Sequence, residues 1–176
     1  LNSAAGSWRE LPELAGTSDG EPLRCFFLRE MLLLADVPLL VTLQGQILGE
    51  SAPYQSIQLN IPPGRVLGEV GRSMRRAGQY LPLMGPWCGG FWHWLMEYLP
   101  RLIVAECAGF SGSCIIAADA PRFVRESLDL MGVDAQRVLA RGPENWWVEE
   151  LVLPEIITGT AGHGRKDLLQ YGELAR

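Results

Sequence analysis

His93 and Glu97 stand four residues apart in the segment GGFWHWLMEYLPRL, residues 89–102. On a helix that spacing puts an imidazole and a carboxylate on one face, within hydrogen-bonding reach. Arg101 follows one turn later on nearly the same stripe. Three such groups in line make a polar face suited to a cleft. There Glu97 can act as a general base, His93 can orient it or bind substrate, and Arg101 can pair with Glu97 or hold an anionic group. Trp92 and Trp94 flank the histidine and are the aromatic candidates for substrate contact, although a straight helix turns Trp94 and Leu95 toward packing. The alternative is structural: a helix this rich in Trp, Leu, Met and Tyr is core material, and its His–Glu pair only decorates the surface. Pro100 interrupts the same helix. It has no N–H to donate, so the sequence predicts a kink, or a new helix starting there, that swings Arg101 off the stripe.

Other candidates carry less. His163, the second of two histidines, lies in GTAGHGRK, which lacks the GxxxxGK[ST] spacing of a phosphate loop. Gly159, Gly162 and Gly164 read there as flexible linker. Cys25, Cys88, Cys107 and Cys114 form no CxxC pair and no zinc spacing, so no metal site is expected. They read as buried free thiols in a reducing, cytoplasmic compartment. Cys88 beside Gly89 and Gly90 lacks a nearby second histidine and reads as structural. Net charge is −5, which argues against nucleic acid, whose phosphates need clustered Lys and Arg. Arg72, Arg75 and Arg76 form the one tight basic group and read as a solvated loop or helix end. No apolar run reaches the roughly 18 residues of a membrane-crossing helix, and no signal peptide is visible. The chain begins at Leu1, as an excised piece of something longer would.

The elements that must position His93 and Glu97 follow an α/β rhythm. Residues 1–21 read as a loose lead-in. Strands are expected at 25–29 and 31–35. Gln44-Gly45 marks a hairpin turn between 40–43 and 47–50. Residues 52–86, rich in Pro and Gly, read mostly as loop, with a short buried strand at 81–84. A helix over 90–108 carries the focal motif. SCIIAA, residues 113–118, is the apolar run of a parallel strand buried on both faces. Residues 120–131 are amphipathic, with Phe123, Val124, Ser127, Leu128 and Met131 on one face. Asp119 is the expected cap, Pro121 suits the first turn, and Gly132 ends the helix. Strands follow at 137–140 and 146–153, where Pro154 stops the last. Strand, helix, strand with short links implies a Rossmann-like three-layer domain with parallel strands, preceded by a β-hairpin region.

The run FWHWLMEYLPRL resembles the NYYHWLxExLPRL signature of glycosyltransferase family 61, a group with capsular-polysaccharide-type bacterial enzymes. His93, Trp94, Leu95, Glu97, Leu99, Pro100, Arg101 and Leu102 match it, and Gly90 stands in place of the family's asparagine. LLVTLQGQILGESAPY and LDLMGVDAQRVL resemble flanking segments, so the likeness covers roughly residues 22–165. It implies one half of a GT-B-like architecture: the acceptor-side domain at 22–165, with 166–176 a C-terminal helix or linker. The implied activity is inverting transfer from a nucleotide-sugar to a polysaccharide or glycan acceptor. Glu97 would deprotonate the acceptor with His93 in support, and Arg101, Trp92 and Trp94 would contact substrate. No metal or cofactor is implied. The donor would be held mainly by a C-terminal half absent here, leaving this portion inactive alone. A homodimer and peripheral membrane association remain compatible with it. The rival expectation is a non-catalytic α/β protein-interaction module that presents Trp146 and Trp147 to a partner.

Overall fold

The computed structural model describes residues 6–12, 23–34, 40–42, 68–85 and 87–155. The expected second hairpin arm at 47–50, the loop around His163 and the helix at 166–176 lie outside the described residues. The chain forms a mixed α/β sheet in the order β1-β2-β7-β4-β5-β6, with β3 also paired to β2. Its strands are β1 (Ser7–Leu11), β2 (Leu23–Leu33), β3 (Leu40–Val41), β4 (Met74–Pro82), β5 (Ser113–Ile116), β6 (Val138–Ala140) and β7 (Trp146–Pro154). The neighbours β7, β4, β5 and β6 run parallel. On the other side of β7, β2 joins antiparallel and carries β1 and β3, also antiparallel.

Two helices link the parallel strands. Helix α1 spans residues 91–107 and connects β4 to β5; α2 (Arg122–Leu130) connects β5 to β6. Both pack on one face of the sheet. Trp94, Tyr98, Leu102 and Ala105 of α1 and Val124 and Leu128 of α2 share a core with Leu81, Cys114, Ile116 and Val152. The opposite face holds a second core of Phe26, Tyr80, Ile115, Trp146, Val148 and Leu151. Strand β5 therefore buries consecutive residues on both faces, as its apolar run predicts. Among the described residues helices cover one face only, so the expected third layer is not seen there.

Several expectations are corrected. The lead-in is not loose throughout, because β1 forms at Ser7–Leu11 and pairs with β2. Arg9 holds it down: its Nη1 donates to the Ala108 carbonyl at 2.6 Å and its guanidinium lies over Phe27. A cation at that helix end also meets the negative pole of α1. The strands expected at 25–29 and 31–35 are one strand. Glu30, at φ 55°, reverses the side-chain alternation within it. Phe26 and Leu28 face the second core before that point, and Met31 and Leu33 face it after. Strand β4 begins at Met74, well before the expected 81. Its first half is polar because Arg75 and Arg76 lie over the rings of Trp147 and Trp146 on β7. These arginines are strand residues, whereas Arg72 pairs with Glu69 beside a helical turn at residues 68–71.

Helix α2 starts after Pro121, which is its cap residue, with no side-chain cap from Asp119. Pro121 has an extended ψ of 154°, so the helix begins two residues later than expected. Gly132 ends it as expected. At φ 79° its N–H reaches the Asp129 carbonyl while the Val133 N–H reaches Leu128. That paired closure requires a left-handed residue, which glycine supplies without strain. Arg137 closes a 3-10 turn capped by Asp134, and the strand proper starts at Val138. Strand β7 runs one residue beyond the expected end, and a part-buried Arg24–Glu155 ion pair at 2.7 Å ties its exit to β2.

All four cysteines are free thiols, and burial divides them: Cys25 and Cys114 are buried, Cys88 is half-buried and Cys107 is exposed. Desolvation by burial pushes the Cys114 thiol up to about 11 from its ordinary 9.0. The folded state thus keeps a proton that the unfolded chain releases. The stability from this group is fully present below about pH 9 and is lost as pH rises toward about 11, at up to about 1.4 kcal/mol per pH unit. Urea unfolding across that range should show the loss, and Cys114→Ala should flatten it. An alkaline slope unchanged by the substitution would contradict this burial. In native protein, thiol reagents should modify Cys107 well before Cys114.

Candidate functional site

Strands β4 and β5 are parallel, so their carboxyl ends lie on the same edge of the sheet, and the turn leading into each helix lies there too. The β4–α1 turn includes residues 83–85 and 87–90. Gly89 sits against Pro121, since a Cβ on it would lie 3.8 Å from the proline ring. Phe91 and Phe123 meet edge to face at 5.2 Å, joining the first turns of α1 and α2. In open α/β sheets, ligands bind outside the carboxyl ends of the strands, where successive connections diverge. Here the connections from β4 to β5 and from β5 to β6 run the same way across the sheet, so it is the shared carboxyl edge that marks this place.

Helix α1 is not uniform. It begins as Phe91–His93, widens into a π turn at Trp94–Tyr98 and resumes as Leu99–Cys107. The cause is Pro100. With no N–H at that position the regular ladder breaks, and the Leu99 N–H bonds to the Trp94 carbonyl five residues back. Pro100 then falls in the first turn of the resumed helix, where a missing N–H costs nothing. The expected interruption at Pro100 is therefore present, as a wide turn before it.

This helix brings His93 and Glu97 together. His93 Nδ1 and Glu97 Oε1 are 3.0 Å apart. An ionised carboxylate only accepts, so Nδ1 carries the hydrogen and donates it. In the neutral imidazole this leaves Nε2 as a lone-pair acceptor. The His93 side chain is 27% exposed and that of Glu97 12%. The imidazole is therefore the more accessible partner, and the carboxylate stands behind it.

The other sequence candidates divide. Trp92 is 65% exposed, open to any ligand at this edge. Trp94 is fully buried and is corrected from substrate contact to structure. Its Nε1–H donates to Ser127 Oγ at 2.7 Å, and that hydroxyl donates to the Val124 carbonyl at 2.9 Å. Arg101 is also withdrawn from the open face, at 6% exposure. Its Nε donates to the Glu97 main-chain carbonyl at 3.1 Å, and its guanidinium lies over the Tyr98 ring. The π turn displaces Arg101 from the stripe that uniform helical spacing would give. Trp146, offered as a partner surface, is buried with its Nε1–H on Glu144, and Trp147 is half-buried beneath Arg75.

Sequence reasoning missed Trp87. Its ring is 5.0 Å from the His93 imidazole at an interplanar angle of 34°, and the residue is 55% exposed. Its φ is 60°. The Cys88 N–H bonds to the Gly85 carbonyl, closing a tight turn with Trp87 at its third position. Turns with a positive φ there favour glycine, and a bulky residue costs about 1–3 kcal/mol. The signal was the glycines on both sides, Gly85, Gly89 and Gly90, which mark a turn without showing which residue bends.

No family model, curated protein or solved structure matches the chain. Among the described residues, no group of three or more His, Cys, Asp or Glu is placed to hold a metal ion, and no helix is long and apolar enough to cross a membrane.

With Glu97 ionised, the geometry calls for the Nδ1–H tautomer. Nitrogen NMR of His93 in its neutral form should report the hydrogen on Nδ1, and Glu97→Gln should erode that preference. A dominant Nε2–H form in the unaltered protein would show that Glu97 does not hold the ring.

Proposed function

We propose that the chain is the acceptor-side, N-terminal half of an inverting glycosyltransferase with GT-B-like architecture. The observation that carries the proposal is the 3.0 Å His93–Glu97 pair at the carboxyl edge of parallel strands, beside exposed Trp87 and Trp92. The likeness of FWHWLMEYLPRL to the family 61 signature supports it, because the pair is part of that signature. On this reading the fold is the Rossmann-like half of a two-domain enzyme. The donor nucleotide-sugar is held mainly by the other half, and the acceptor glycan lies along this edge.

The chemistry follows from the tautomer. An acceptor hydroxyl hydrogen-bonds to His93 Nε2. Its oxygen attacks the anomeric carbon of the donor while its proton moves to Nε2. The bond from that carbon to the nucleotide's phosphate oxygen breaks, and the nucleotide leaves with the electron pair. Glu97 keeps the ring oriented and stabilises the imidazolium, as a carboxylate does behind a catalytic histidine. The sequence reading gave the base to Glu97. Accessibility favours His93 for that task and makes Glu97 a positioning residue.

In the full-length parent, His93→Ala should lower turnover by about 10²–10⁴-fold, the usual contribution of a general base. Glu97→Gln should also lower it and change its pH profile, while thermal unfolding of both variants stays near that of the parent. Undiminished transfer by His93→Ala would remove the imidazole from the mechanism. The non-catalytic module retains support from a different surface than expected: Trp92, Met96 and Ile103 are exposed apolar residues on α1. Absence of transfer by the unaltered full-length parent from any nucleotide-sugar would favour it.

A further inference from the structure

Trp87 combines two features that ordinary folding does not ask for. A bulky aromatic residue occupies a left-handed turn position at φ 60°, which sterics assign to glycine. More than half of its surface is nevertheless open to solvent. Strained residues that a core does not require cluster where ligands bind. The ring is also placed, since it lies 5.0 Å from the His93 imidazole. Next along α1, Trp92 exposes a second large aromatic side chain at the same edge of the sheet.

We infer that Trp87 is the stacking platform for one sugar ring of the acceptor, set beside the proton-accepting face of His93. The occupant is a saccharide because its chemistry matches both parts of the site. A pyranose has a flat C–H face and a rim of hydroxyls. The indole face meets the C–H surface, and His93 Nε2 accepts from a hydroxyl at the rim. A purely apolar partner would leave the imidazole nitrogen unsatisfied on burial. The ring lies toward the start of α1, where it meets the His93 imidazole. The identity of the occupant rests on the glycosyltransferase reading, whereas the platform itself rests on Trp87.

The test uses the 176-residue chain and an array of gluco-, galacto-, manno- and xylo-configured oligosaccharides. Binding would be re-measured by following indole N–H signals in nitrogen-resolved NMR. At least one configuration should bind and shift the Trp87 signal. Trp87→Gly should weaken that binding by about tenfold or more, in keeping with loss of a buried aromatic contact. Its melting temperature should hold or rise, since glycine removes the backbone strain. Trp87→Phe, which keeps a ring, should retain part of the affinity. Binding unaffected by Trp87→Gly overturns the platform and leaves the transferase reading standing. No binding by any oligosaccharide to the unaltered chain also overturns the platform, and turnover of the full-length His93 variant then decides the transferase reading separately.

Discussion

The buried indole of Trp94 sets the rotation of α1 about its own axis, and most of the candidate site depends on that rotation. Its ring is fully enclosed, and its N–H is satisfied by Ser127 on α2. Removing such a side chain costs about 3–5 kcal/mol, against a few tenths for a His–Glu pair one helical turn apart. Packing therefore decides which way the helix faces, and the polar pair takes the orientation it is given. With Trp94, Tyr98 and Leu102 turned inward, His93 is left at the rim with Glu97 partly covered behind it.

Pro100 adds a second constraint. The π turn it imposes spans Trp94–Tyr98, the stretch that contains both Trp94 and Glu97. Single wide turns of this kind recur at functional sites because they re-aim side chains without ending a helix. Here the turn keeps the His93–Glu97 pair and draws Arg101 into the packing over Tyr98. Close packing at the adjoining loop follows the same logic. A Cβ on Gly85 would lie 2.6 Å from the Tyr98 hydroxyl, so a larger residue there would force the buried Tyr98 ring to shift.

The sequence was most informative where local rules and tertiary packing agree. The apolar run of β5, the amphipathic α2, the Gly132 stop and the proline interruption of α1 all follow from periodicity and backbone sterics. The pairing of His93 with Glu97 follows from i,i+4 spacing alone. Periodicity failed where a long-range contact replaces an apolar one. Strand β4 carries Arg75 and Arg76 as partners for Trp147 and Trp146, a pattern that reads as surface until β7 is seen beside it. Strand β1 is held by Arg9 reaching Ala108, ninety-nine residues away. Glu30 in a left-handed conformation inverted the alternation of β2, which made one strand look like two. Trp94 and Arg101 were legible as notable residues, but their exposure depends on helix rotation, which spacing alone does not fix.

Indole hydrogen exchange tests the Trp94 anchor most directly. The account predicts that Trp94 Nε1–H exchanges orders of magnitude more slowly than the Trp87 and Trp92 indoles, and that Ser127→Ala speeds it and destabilises the fold by about 1–3 kcal/mol. Exchange of Trp94 as fast as that of the exposed indoles would mean that α1 is rotated otherwise, and the placement of His93 and Glu97 at the sheet edge would fall with it.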